Sequence, residues 1–179
     1  RQVVESKPYL DSIDRKNNKF KFNSILTSYT HSNSWKHRSW SIHSPVESIS
    51  FNTVEGWNGT LRATISKEKS RDDAREWKLE GNLRYGLSNT HWNPSIHFYN
   101  LYNTKSQSSI HVYGGSEVLQ FNRNNPITPL TNALYSLYAR KNYMKIFQQQ
   151  YLRLEHRSEL TNGFAAGVFL EYAHREPLR

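Results

Sequence analysis

Trp77-Lys78-Leu79-Glu80-Gly81-Asn82-Leu83-Arg84-Tyr85-Gly86-Leu87 separates into two sets. Trp77, Leu79, Gly81, Leu83, Tyr85 and Leu87 fall on odd positions, and Lys78, Glu80, Asn82, Arg84 and Gly86 on even ones. Successive side chains of a strand point to opposite faces, whereas a helix would spread these residues around its axis. The stretch is therefore a strand with one apolar and one charged face. Residues 57–65 repeat the pattern, with Trp57, Gly59, Leu61, Ala63 and Ile65 against Asn58, Thr60, Arg62 and Thr64. The two should pair antiparallel, with Leu61, Leu79 and Leu83 on one side and Arg62, Lys78 and Arg84 on the other. The charged run from Ser66 to Asp73 predicts a long loop over 66–76 facing bulk water.

Further strands are expected outward from this pair. Phe20, Phe22 and Leu26 open one that runs to about His31, with a turn at Ser32-Asn33-Ser34 and a short strand holding Trp40 and Ile42. Ser44-Pro45 should end it, since proline cannot donate to a ladder. On the other side, 92–102 aligns Trp92, Ile96, Phe98 and Tyr102, and 109–119 aligns Ile110, Val112 and Val118. Gly114-Gly115 inside the latter predicts a bulge or a close approach of backbones. Asn124-Asn125-Pro126 breaks the pattern, and Leu130, Leu134, Leu137 and Tyr138 then recur at helical spacing, so one short helix is expected over 130–140. The last two strands, about 143–159 and from Phe164 to Tyr172, flank Asn162-Gly163, a pair that favours a type I′ hairpin turn. Residues 1–18 are charged without alternation and read as a linker or the end of a preceding element; 19–179 read as one β-barrel segment of a longer chain.

Composition narrows the function classes. The 179 residues contain no cysteine, which excludes disulfides, thiolate metal sites and cysteine nucleophiles from this chain. Lys and Arg total 24 against 15 Asp and Glu, a formal charge of +9 that suits nucleic acid, anionic lipid or an acidic glycan. Mean hydropathy is −0.83, and no stretch approaches the roughly 20 apolar residues of a membrane helix. A spanning β-strand needs only about ten residues, of which every second one meets lipid. Aromatics at 13% in so polar a chain fit that economy.

Three stretches carry a resemblance: Ile49-Ser50-Phe51-Asn52-Thr53-Val54-Glu55-Gly56-Trp57; Asn132-Ala133-Leu134-Tyr135-Ser136-Leu137-Tyr138-Ala139-Arg140-Lys141-Asn142-Tyr143-Met144-Lys145; and Ser158-Glu159-Leu160-Thr161-Asn162-Gly163-Phe164 continuing through Glu171-Tyr172 to Arg175-Glu176-Pro177-Leu178. Together they resemble the barrel region of Bacteroidota outer-membrane proteins of unknown function that carry an N-terminal carboxypeptidase-regulatory-like domain. The resemblance implies an all-β fold, an antiparallel meander forming part of a large transmembrane β-barrel in the bacterial outer membrane. It implies no peptidase activity, no catalytic residues and no cofactor.

Candidate sites follow from the two faces. Trp57, Trp77, Trp92, Tyr102 and Tyr172 are expected near the water interfaces as an aromatic girdle. Arg62, Lys78, Glu80, Arg84, Arg153, Glu155 and Arg157 are expected to face a wet lumen, the last three as a ladder of alternating charge at spacing two. Glu155 and His156 point to opposite faces and cannot cooperate as acid and base, and no Gly-rich phosphate loop, HExxH or Gly-x-Ser-x-Gly is present. His31, His37 and His43 would share a face only on an unbroken strand, so no metal site is assigned. Nucleic acid is not expected as a partner, because rings and basic groups fall on opposite faces. The partners expected are outer-membrane lipid and other envelope proteins, in a transport or assembly role. The alternative is a soluble antiparallel domain binding an acidic glycan or another polyanion. In a barrel the tight Asn162-Gly163 turn should lie on the periplasmic side and the 66–76 loop on the extracellular side.

Overall fold

The computed structural model describes residues 6–44, 46, 48–70, 73–122, 124 and 127–178. Among the described residues nine strands form one antiparallel sheet: β1 (Tyr29–Asn33), β2 (Arg38–Ile42), β3 (Ser50–Asn52), β4 (Gly56–Ser70), β5 (Asp73–Gly86), β6 (Trp92–Asn103), β7 (Ser108–Gln120), β8 (Ile146–Thr161) and β9 (Phe164–Pro177). The order is β1-β2-β4-β5-β6-β7-β8-β9, with β3 also pairing β4. Three helices accompany them: α1 (Lys7–Asn17), α2 (Ser24–Thr27) and α3 (Pro129–Ala139). The fold is thus an all-β antiparallel meander, and the expected helix near 130–140 is α3.

Register makes the two faces continuous. One ladder runs Ala63, Gly81, Ile96, Gly114, Leu152, Tyr172 from β4 to β9, and the next runs Ile65, Leu79, Phe98, Val112, Leu154, Leu170. The intervening positions, such as Thr64, Glu80, His97, Tyr113 and Arg153, belong to the other face. Leu83 and Arg84 therefore lie on opposite sides, as the alternation predicts. The apolar stripe is also slanted across the strands. On β4 it runs from Trp57 to Ile65, centred on Leu61; on β9 it runs from Phe164 to Tyr172, centred on Val168. Leu61 lies two residues before Ala63, Val168 lies four before Tyr172, and β4 and β9 point in opposite directions. The stripe's centre consequently moves six residues along the strand direction over five strand steps.

Burial is inverted relative to an ordinary globular sheet. Among the described residues the buried hydrophobics are Ala133, Met144, Ile146 and Phe147, while Glu55, Asn52, Asn93, Asn132 and Glu155 are buried. α3, which carries Ala133, packs on β3, and the rest of this small core is Met144 with Ile146 and Phe147 at the start of β8. Asn132 Oδ1 accepts from the backbone N–H groups of Tyr143 and Met144, and Asn142 donates to Thr53 Oγ1. The sheet's edges differ as well. Asn18 holds the free edge of β1, accepting from the N–H of Ser32 and donating to its carbonyl, while β9 is exposed almost throughout and pairs only with β8.

Four expectations need correction. The strand begins at Tyr29 and not Phe20, because Asn23 draws the backbone into a helical turn, its carbonyl accepting from the N–H and hydroxyl of Thr27. The following turn is Ser34–His37, since Ser32 and Asn33 still pair in β1. There is no loop over 66–76: β4 and β5 continue to Ser70 and Asp73, because backbone pairing proceeds whatever the side chains are and Asp73 neutralises Arg75 and Lys69. The Asn162-Gly163 turn is not type I′. Gly163 has φ +79° and Asn162 is not among the positive-φ residues, with a register shift between Glu159 and Thr161 supplying the twist. Gly114-Gly115 is a close approach as expected: a Cβ at Gly115, whose φ is +132°, would collide with the Pro94 carbonyl and lie 2.6 Å from Ser95 Cα. The expected breaks at Pro45 and Asn125-Pro126, the Arg71-Asp72 part of the predicted loop, and residues 1–5 of the expected linker lie outside the described residues; α1 occupies most of the rest of that linker.

Strand direction places the connections. Ser34–His37, the Ser70 end of β4 with the Asp73 start of β5, 104–107 and Asn162-Gly163 all fall at one end of the sheet, the short-turn end. The β5–β6 connection and the long 121–145 segment carrying α3 fall at the other, the loop end. The β4–β5 connection and the Asn162-Gly163 turn therefore share an end, contrary to the expectation that they lie on opposite sides.

Candidate functional site

The charged face of β5 is the middle of a polar surface that the sheet curls around. A cavity of about 630 Å³ touches all six strands from β4 to β9, with Thr64, Lys78, His97, His111, Arg157 and Ala165 among its lining. One open cavity bordered by six consecutive strands on one face requires that face to be concave. All seven residues expected to be lumen-facing, Arg62, Lys78, Glu80, Arg84, Arg153, Glu155 and Arg157, lie on it by register.

The side chains of this face form three groups, beside which Lys78 pairs with Glu76 at 3.4 Å. At the β8–β9 side, Glu155 is buried and takes both Arg153 Nη2, at 3.0 Å, and Arg157 Nε. Arg153 reaches on to Glu171 at 3.6 Å and stacks over Phe169, its guanidinium carbon 4.6 Å from the ring centroid. That contact accounts for an aromatic residue on an otherwise polar face. At the β4–β5 side, Arg62 Nε donates to Asn82 at 2.8 Å and pairs with Glu80 at 3.6 Å. Between them, His97, His111 and Tyr113 stack as parallel rings, with His111 Nδ1 lying 3.3 Å from His97 Nε2 and 3.2 Å from Tyr113 Oη. By register the ring stack lies between the two charged groups, with His97 opposite Glu80 and Tyr113 opposite Arg153. Sequence inspection passed over it because 97, 111 and 113 come together only through the β6–β7 register.

The loop end of the same face is closed by a buried ion pair. Glu55, in the tight connection between β3 and β4, is 0% exposed; Arg84 Nε and Nη2 reach its two oxygens at 2.9 and 2.6 Å. Asn52 donates to Glu55 Oε2 at 2.7 Å and accepts from the Glu55 N–H, and the Glu55 carbonyl accepts from Ser88. Phe51-Asn52-Thr53-Val54-Glu55-Gly56-Trp57, the most distinctive stretch of the sequence, is thus a lock that holds the β3–β4 turn over the concave face. Arg84 belongs to this lock and not to the open cavity.

The five girdle residues lie on the convex face. Trp57 and Trp92 stand at the loop end with Tyr85, whose ring lies 4.3 Å from that of Trp92. Trp77 and Tyr102 stand toward the short-turn end, and Tyr102 Oη lies 2.8 Å from His156 Nε2. Tyr172 shares its ladder with Ile96 and Ala63, near the middle of the stripe on β4 but at its border on β9. The three histidines at spacing six do not converge. His31 stacks on Trp40, His37 lies in the β1–β2 turn, and the His43 N–H bonds the Arg62 carbonyl.

Residues 22–179 match the model of a family described as a family of unknown function (DUF5686), C-terminal domain. No curated protein and no solved structure matches the chain.

Proposed function

The chain belongs to the DUF5686 family, carrying its C-terminal domain, and from that premise we propose that it is a stretch of wall of a transmembrane β-barrel in the outer membrane of a Bacteroidota bacterium. The convex face meets lipid and the concave face lines a wet lumen. The role is non-enzymatic, in envelope transport or assembly. The observation that carries this is the inverted burial. Val168, Leu170 and Tyr172 are 63%, 73% and 75% exposed, and so are large parts of Trp57, Leu61, Ile96 and Leu152, while Glu55 and Glu155 are buried. In water such a contiguous apolar surface is unfavourable, and in lipid it is required.

The slant of the stripe supports the same conclusion. Six residues at about 3.3 Å each, over five strand spacings of about 4.8 Å, give an angle near 40° between the strands and the normal to the stripe. Strands of membrane barrels tilt by about 35–45°. Residues beyond the stripe turn polar at opposite corners: Arg38 and Lys67 at the short-turn end of β2 and β4, and Gln148, Gln150, His174 and Glu176 at the loop end of β8 and β9. No described helix is long and apolar enough to span a membrane.

The test is detergent dependence combined with lipid contact. The protein should be monodisperse only in detergent or bilayer, and brominated acyl chains should quench tryptophan fluorescence. Monodispersity in plain buffer without quenching would instead indicate a water-soluble sheet, for which the +9 charge would suit an acidic glycan. Replacing Glu155 or His156 should leave any measured hydrolytic activity of the preparation unchanged.

A further inference from the structure

At the short-turn corner of the convex face two cations stand directly opposite each other. Arg38 pairs with Lys67 across β2 and β4, both exposed, and neither has a counter-ion among the described residues. Like charges in direct register destabilise a sheet unless something neutralises them. Their neighbours differ in this respect, because Asp73 takes Lys69 at 3.2 Å and Arg75 at 2.5 Å. Beside Lys67 lies Trp77, its register partner, and a groove of about 300 Å³ whose lining includes Lys67, Lys69, Trp77 and Tyr102; Glu68 and Glu76 also border it, but by register their side chains belong to the opposite face. The groove begins where the apolar stripe of β4 ends, after Ile65.

We propose that Arg38 and Lys67 form a phosphate-binding corner for the headgroup of a net-anionic glycerophospholipid of the leaflet at the short-turn end, a proposal that rests on the membrane-wall assignment above. An unneutralised cation pair at the border of an apolar surface, with a tryptophan and a tyrosine beside it, matches an amphiphile whose anion sits just above its acyl chains. The loop-end corner is chemically different. Gln148, Gln150, His174 and Glu176 offer no fixed positive charge there, so the preference belongs to one leaflet. Short turns mark the periplasmic end of outer-membrane barrels, where the facing leaflet is glycerophospholipid.

The experiment reconstitutes the protein in bilayer discs of phosphatidylcholine with a minor fraction of phosphatidylglycerol, and measures the lipid retained on extraction by mass spectrometry. The protein should enrich phosphatidylglycerol several-fold. Each cation is worth about a fivefold preference, so Arg38→Gln with Lys67→Gln should abolish the enrichment. Lys67→Arg should retain it, and Lys141→Gln with Lys145→Gln, at the loop end, should leave it unchanged. Absence of enrichment in the parent protein, or equal enrichment in the Arg38/Lys67 double variant, overturns the proposal. Displacement of the lipid by inorganic phosphate alone would also overturn it, by showing a free-anion site. Failure of the membrane-wall assignment would look different, since the protein would then not enter the discs.

Discussion

The two faces of this sheet solve opposite problems. On the concave face, charged groups neutralise one another: Arg84 with Glu55, Arg153 and Arg157 with Glu155, Arg62 with Glu80. On the convex face the large side chains make few partners and stay exposed. The difference shows that the concave face holds the structure by specific pairs, where removing one member strands the other. The convex face depends on the surrounding medium, where the kind of residue matters more than its identity.

That contrast is most severely tested at the buried lock. Arg84→Met leaves the Glu55 carboxylate buried without its partner and should cost about 3–5 kcal/mol, read as a shift in urea-induced unfolding in lipid. Adding Glu55→Gln should recover part of the loss, and a double variant as unstable as the single would show that the pair is not the lock. The convex face should respond to charge as such. Val168→Arg should cost roughly 2–4 kcal/mol in a bilayer, whereas Gly167→Arg, one residue away on the concave side and opposite Arg157, should cost less. Equal tolerance of the two would erase the distinction between the faces. Backbone crowding is common to both faces. Gly115→Ala at φ +132°, against the Pro94 carbonyl, should cost about 1–3 kcal/mol in any medium, and an effect that vanished in detergent would count against it.

The smallest effect belongs to the β4–β5 hairpin beyond the stripe. The hydrogen-bonded Arg75 guanidinium holds the half-buried Asp73 carboxyl well below the usual carboxylate range. A depressed carboxylate contributes above its unfolded value of about 3.9 and loses that contribution only as pH falls through the lower folded value. Between pH 5 and 8, Asp73→Asn should therefore shift thermal unfolding by less than any change above, and by a constant amount. A pH-dependent difference within that window would contradict the assignment.

What was legible in the sequence was whatever has period two. Residues 57–65 and 77–87 declared both strand and face, because burying one face forces alternation. Charge content could not tell a loop from a strand at 66–76: Lys67 and Glu68 extend a ladder as well as any residue when water surrounds them. The seven polar-face residues were legible for the same reason as the strands. The Glu55–Arg84 lock and the His97-His111-Tyr113 stack were not, since each joins residues that only strand register brings together. The end at which each turn falls was misjudged once the 66–76 loop was assumed, because strand direction must be followed continuously from one turn to the next.

The bare outer side of β9 carries one more implication. Among the described residues, the fourteen of this strand have no pairing partner beyond β8, which leaves backbone N–H and C=O groups of its outer side unpaired. Prepared by itself, this segment would have its own copy as the nearest available strand. Two molecules meeting through β9 about a twofold axis would align their apolar stripes into one continuous sheet. Concentration-dependent dimers, and precipitates rich in intermolecular sheet, are the expected behaviour of the isolated domain, and a short peptide matching the alternation of β9 should suppress both.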